Sequence, residues 1–260
     1  MEFLLEPRLD HFELLRNTFN AHHPQYCINC AANTNVDRAE QEKELAFQVN
    51  GEAVGVLAAV CKENNTRFIH ISTDYVFDGN ATAPYSENFQ TNPINTYGAS
   101  KLEGEKQALQ FNPDSIIIRS SWVYSEFGKN FVKTMLALMS GKNEISVVDD
   151  QVGSPTYAAD LAEMILRIIS HSKFKNSNWV PGIYHFSNEG VINWYEFGNA
   201  IKGITKNSGV IKPISTAEYP TAAKRPAYSA LDKSKIQKAF NIQLKDWKTS
   251  LKTCIEKIKS

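Results

Sequence analysis

Short β-branched runs alternate with longer stretches of helical periodicity along most of this chain. That alternation restricts the fold to the α/β class with a parallel sheet. The strand-like runs lie at 26–31, 67–72, 115–120, 145–148 and 182–186. Helical spacing covers 10–20, 38–64, 96–111, 130–140, 158–170, 193–206, 232–240 and 250–257. Within 38–64 the apolar residues Leu45, Val49, Ala53, Val56 and Val60 recur at three- and four-residue steps, one face of a long helix. Asp232, ahead of Lys-Ser-Lys-Ile, reads as an N-cap.

The 260 residues suffice for one large domain or one domain with a lobe. Lys plus Arg and Asp plus Glu both total 28, so the formal charge is zero and nothing electrostatic favours nucleic acid or an anionic membrane. No apolar run approaches the roughly 20 residues that a membrane span requires. Met1–Arg8 mixes acidic with apolar residues and lacks a small-residue cleavage site, so it does not read as a signal peptide. The expectation is a cytoplasmic protein. Cys27 and Cys30 have the spacing of a redox or zinc pair, but on a strand at 26–31 side chains three apart point to opposite faces. Buried structural thiols are therefore expected.

Two places carry chemistry. Tyr97 and Lys101, four apart on the helix predicted at 96–111, project from one face. A nearby ammonium favours the phenolate and would lower the tyrosine pKa, making Tyr97 a general acid or base. Thr73 and Asp74 follow the central strand-like run, where a hydroxyl can hydrogen-bond the oxygen that Tyr97 protonates. The plainer readings are a solvent-facing helix pair and a turn cap.

The ordered set Asn29-Cys-Ala-Ala-Asn-Thr-Asn-Val-Asp37, Ser72-Thr-Asp-Tyr-Val-Phe-Asp-Gly79, Tyr97-Gly-Ala-Ser-Lys101 and Arg119-Ser-Ser-Trp-Val-Tyr124 resembles the extended short-chain dehydrogenase/reductase family. Gly128-Lys-Asn-Phe-Val132, the run 150–161, Arg225-Pro226 and Ser229-Ala-Leu-Asp232 extend the likeness, which is closest to the dTDP-4-dehydrorhamnose reductases. The resemblance implies a doubly wound, Rossmann-like parallel sheet with a small α/β C-terminal substrate lobe. It divides the chain into a dinucleotide-binding domain at 1–150, a strand and helix around 155–172 returning to it, and a mainly substrate-binding lobe at 173–260.

It further implies that Tyr97 donates a proton, that Lys101 holds the nicotinamide ribose and lowers the Tyr97 pKa, and that Thr73 tunes the tyrosine. Ala31, Ala32, Asn33 and Ser72, with Tyr97 and Lys101, would line NADPH or NADH. Thr73 and Asp74 would contact a nucleotide sugar, and Trp122 would pack on its ring unless it is a lobe-interface aromatic. Mg2+ stays open as an accessory ion and a homodimer as the assembly.

The expected reaction is NAD(P)H-dependent reduction of the C4 ketone of dTDP-4-dehydro-L-rhamnose. A non-catalytic protein on this fold, akin to the regulatory beta subunit of methionine adenosyltransferase, and another nucleotide-sugar epimerase or dehydratase are the alternatives. Two departures stand out. Asn33 replaces the family's usual aromatic or histidine. Moreover, the family opens with a strand, a Gly-x-x-Gly-x-x-Gly turn and a helix, whereas no glycine here precedes Gly51. About 30 residues of the pattern are thus expected to be missing, with the pyrophosphate cradle and a central strand.

Overall fold

The computed structural model describes residues 9–141, 143–174 and 179–259. Met1–Arg8, read above for a leader, lies outside them. The chain runs through α1 (Leu9–His22), β1 (Tyr26–Asn29), α2 (Val36–Ala39), α3 (Lys43–Phe47), a π turn at Gln48–Glu52, α4 (Ala53–Glu63), β2 (Arg67–Thr73) and α5 (Thr96–Phe111). There follow β3 (Ile116–Ser120), β4 (Val123–Tyr124), α6 (Phe131–Gly141), β5 (Glu144–Val148), β6 (Val152–Gly153), β7 (Thr156–Tyr157) and α7 (Ala158–Phe174). The remainder is β8 (Gly182–Phe186), β9 (Ile192–Asn193), α8 (Trp194–Thr205), β10 (Val210–Ile214), α9 (Ser234–Phe240) and α10 (Trp247–Lys259).

Four parallel strands in the order β1-β2-β3-β8 make the central sheet. Period-two alternation sends their side chains to two cores. Phe68 and Ile117 join Phe19, Val54, Ala58, Cys61 and Ala108 from α1, α4 and α5 on one face. Ile69, Ile116 and Ile118 join Leu161, Met164, Ile168 and Ile236 from α7 and α9 on the other. Helices on both faces of a parallel sheet are the doubly wound arrangement. Among the described residues no strand pairs with the outer edge of β1, where Ile28 is 41% exposed.

A second lobe gathers α6, α8 and α10 over the parallel pair β5 and β10, with Val132, Met135, Phe197, Ile201, Leu251 and Ile255 at its centre. The segments do not follow the expected division into 1–150, 155–172 and 173–260 throughout. Residues 131–148 build the lobe, whereas β8, expected in it, is a strand of the main sheet. The reason is topological: the lobe consists of segments inserted after β3 and β8 at their carboxyl ends.

Other local expectations also change. The run 26–31 ends as a strand at Asn29, so Cys30 lies beyond it and is exposed, not buried. Cys27 is half-buried, and only Cys61 and Cys254 are fully buried; all four are free thiols. The helix expected over 38–64 is broken after Ala39 and carries the π turn. Asp232 caps less directly than expected. Lys233 is the N-cap of α9, and Asp232 accepts from the Ser234 N–H at 2.9 Å. Lys43–Glu63 is long and apolar enough to cross a membrane by length and composition, where the sequence reading expected no such run. Its α4 portion buries Val54, Gly55, Ala58, Val60 and Cys61 against α5, α1 and β2, as a core helix does.

Candidate active site

β2 ends at Thr73, and the chain then turns through Asp74-Tyr75-Val76, a single turn whose N–H of Tyr75 is accepted by Thr73 Oγ1 at 3.2 Å. The start of α5 is pinned from three sides. Asn95 caps it by accepting from the Gly98 N–H at 2.8 Å, and its own amide donates to the Lys224 carbonyl at 2.8 Å. Thr96 donates through its N–H and hydroxyl to Glu40, at 2.7 and 2.8 Å. Gly98 lets the helix close on the turn after β2, since a Cβ there would stand 2.1 Å from the Tyr75 carbonyl oxygen. Tyr97 is thereby brought beside Thr73, with the Tyr75 ring edge-on to it at 5.7 Å between centroids.

Burial pushes the Tyr97 phenol up to about 12; the Thr73 hydroxyl draws it down and the Asp74 charge raises it again. The lowering expected from Lys101 is not what the structure shows. Lys101 is 2% exposed, donates from Nζ to the Ile71 carbonyl at 2.7 Å, and lies 3.3 Å from His70 Nε2. Burial brings this amine down to about 8, against the opposing pull of Glu105 and Cys30, which weakens its charge.

Asp74 is 2% exposed, and its Oδ1 accepts from Thr73 Oγ1 at 3.0 Å. Its Oδ2 has no hydrogen-bond partner among the described residues. Burial raises this carboxyl to about 7, against the opposing pull of the Ser229 hydroxyl nearby, which makes no hydrogen bond of good geometry to it, and of the bonded Thr73 hydroxyl.

Ser72, expected to line a cofactor, turns its hydroxyl to Glu105 at 2.5 Å. Glu105 is held by Arg119 through two bonds of 2.9 and 2.7 Å, both side chains almost wholly buried. Ala31 is exposed, and Ala32 and Asn33 are half-buried, in the loop after β1. That loop is fixed by Asn50. Its Oδ1 accepts from the Asn33 N–H at 2.8 Å, while its Nδ2 donates to the Asn33 carbonyl and to Ser100, both at 3.0 Å. Asn50 sits in the π turn, a distortion frequent at functional sites.

Trp122 has φ +47 and stacks on Trp194 with centroids 3.7 Å apart. A Cβ on Gly153 would meet the Trp122 ring at 2.8 Å. Much of that ring is thus covered by the lobe itself, as the lobe-interface reading requires.

Sequence reasoning assigned no role to Asn50, Tyr75, or the Arg225–Asp37 ion pair (2.8 Å) that ties the loop before Pro226 to α2. A polar Asn50 beside Gly51 on an otherwise apolar helix face was the available signal. Among the described residues no group of three or more His, Cys, Asp or Glu is placed to hold a metal ion, so Mg2+ is given no site. The loop 31–33 is tied through Asn50 to Ser100 on α5, the helix that carries Tyr97 and Lys101. A glycine-rich phosphate cradle is not among the described residues.

The sequence matches the RmlD substrate binding domain over residues 8–260. A dTDP-4-dehydrorhamnose reductase from Aggregatibacter actinomycetemcomitans is 44% identical over 235 residues, covering 88% of this chain and 80% of the relative. The structure of such a reductase from Clostridium acetobutylicum superposes with a TM-score of 0.90 at 37% identity, covering 97% of this chain and 88% of that one. Another, from Bacillus anthracis in complex with NADP, has a TM-score of 0.90 at 36% identity, with 95% and 85% covered.

Doubly wound sheet, strand-end threonine and helical Tyr/Lys couple together define a reductase of the extended short-chain dehydrogenase/reductase class. Within that class, the chain belongs to the dTDP-4-dehydrorhamnose reductase family.

Proposed function

We propose that this chain reduces the C4 ketone of dTDP-4-dehydro-L-rhamnose to the alcohol of dTDP-L-rhamnose, a step of nucleotide-sugar and surface polysaccharide biosynthesis. The observation that carries the reading is the placement of Thr73, Asp74 and Tyr97 at one strand end with Lys101 a helical turn behind. A nicotinamide dinucleotide, NADPH or NADH, supplies the hydride when bound. Tyr97, protonated at neutral pH, gives its proton to the oxygen forming at C4. The Thr73 hydroxyl steadies that oxygen and the phenol together. The unpartnered Oδ2 of Asp74 is available to a sugar hydroxyl, which would otherwise leave a buried oxygen unsatisfied. Lys101, fixed by the Ile71 carbonyl, holds the ribose. Trp122 and Trp194 together close the sugar side of the cleft.

The same reading places the protein in the cytoplasm and includes a homodimer as its assembly. It is tested by incubating the protein with dTDP-4-dehydro-L-rhamnose and NADPH or NADH, following cofactor oxidation and resolving the sugar product. Equimolar oxidised cofactor and dTDP-L-rhamnose are expected. Cofactor binding without turnover would instead support a regulatory protein on this fold, and a different sugar would support an epimerase or dehydratase.

A further inference from the structure

Three buried residues from three elements stand in a row ending at Lys101. The β1–β2 register sets Asn29 opposite His70, and both side chains are buried. The Ala31 N–H donates to Asn29 Oδ1 at 3.1 Å, which fixes the orientation of that amide. Its Nδ2 therefore faces His70 Nδ1, at 3.1 Å. An amide nitrogen can only donate, so Nδ1 has to accept, and the proton of a neutral ring is left on Nε2. The ring is neutral because burial, and after it the charge of Lys101, hold His70 well below its ordinary range.

Nε2 then points its hydrogen at Lys101 Nζ, 3.3 Å away. Facing an ammonium, this is donor against donor; facing a neutral amine, it is donor against lone pair. In the other tautomer Nε2 accepts from the ammonium, but Nδ1–H then meets the Asn29 amide hydrogens. Asn29 and the Lys101 ammonium thus compete for opposite tautomers of one imidazole.

We propose that Asn29, acting through the ring tautomer of His70, is a positioning residue that sets how readily Lys101 gives up its proton. Glu105 on the same helix and Cys30 beyond β1 are the other titratable groups facing that amine, and both favour its charge. Glu105 is already engaged by Arg119, so the imidazole is the neighbour free to change. The catalytic consequence rests on the reductase reading; the tautomer does not.

The test begins with the ring 15N chemical shifts of His70 in uniformly labelled protein, assigned by loss of the signals in His70→Gln. A protonated Nε2 and a pyridine-type Nδ1 are expected from pH 6 to 8 (about neutrality). A protonated Nδ1 would overturn the proposal. Asn29→Asp replaces the donor by an acceptor and should invert the tautomer, while Asn29→Leu removes the donor and adds no charge.

In both variants the pH limb of hydride transfer belonging to Lys101 should move upward, by about one unit or more. A shift in the aspartate variant alone would mean a simple charge effect and would refute the tautomer mechanism. If a variant fails to fold, the shifts of the unmodified protein still decide. The predicted tautomer in a protein without turnover would count against the reductase reading and not against this one.

Discussion

At the carboxyl end of the central sheet, burial is shared among ionisable groups: Lys101, Glu105, Arg119 and His185 are each at most 2% exposed. In the second lobe, the equally buried Val132, Phe197, Leu251 and Ile255 belong to an apolar cluster and have no polar side-chain atom of their own to satisfy. The first region is held by partners that must all be present, because a lone buried charge is far costlier than the pair is favourable. The second is held by area and fit, so its losses scale with the volume removed. A chemical site is accordingly built on the first, and the lobe serves to shape the cleft.

The largest loss of stability is expected where one ionic partner is removed. Arg119→Met leaves Glu105 buried without its cation and should cost about 3–5 kcal/mol in urea unfolding. Combining it with Glu105→Leu should recover much of that loss. A single-variant cost below about 1 kcal/mol would show that the pair is not the keystone described here.

Next comes Asp74, whose folded pKa of about 7 lies above its ordinary value. The folded state binds the extra proton, so the stabilisation this carboxyl gives is complete below its unfolded pKa and disappears as pH rises through about 7. Asp74→Asn cannot ionise, and its unfolding free energy relative to the natural protein should rise between pH 4 and 8, by about 1.4 kcal/mol for each unit of displacement, read from urea unfolding at each pH. A constant difference across that range would remove Asp74 from the account.

The smallest effect belongs to the lobe. Ile255→Val should cost only about 0.5–1.5 kcal/mol, with no pH dependence. A larger loss would blur the contrast between the two regions.

The central sheet and its catalytic face were legible in the sequence to differing depths. α5 occupies the range that periodicity predicted, and Thr73, Tyr97 and Lys101 stand on the elements expected of them. These are local patterns. The partition of the chain was not legible, because β8 joins β3 and β5 joins β10 through pairings distant in sequence. The π turn was hidden because Asn50 takes its role from Asn33, on another element. The pKa of Tyr97 was misjudged for a similar reason. Spacing shows that Lys101 shares its helical face, but not that burial outweighs charge there.

The placement of Tyr97 as proton donor is the claim on which the functional account turns. It is tested most directly by single-turnover hydride transfer to dTDP-4-dehydro-L-rhamnose in the natural protein and in Tyr97→Phe, with folding checked by circular dichroism. The rate should fall by about 100- to 10,000-fold when the phenolic hydroxyl is removed. Transfer at the natural rate by folded Tyr97→Phe would contradict the account.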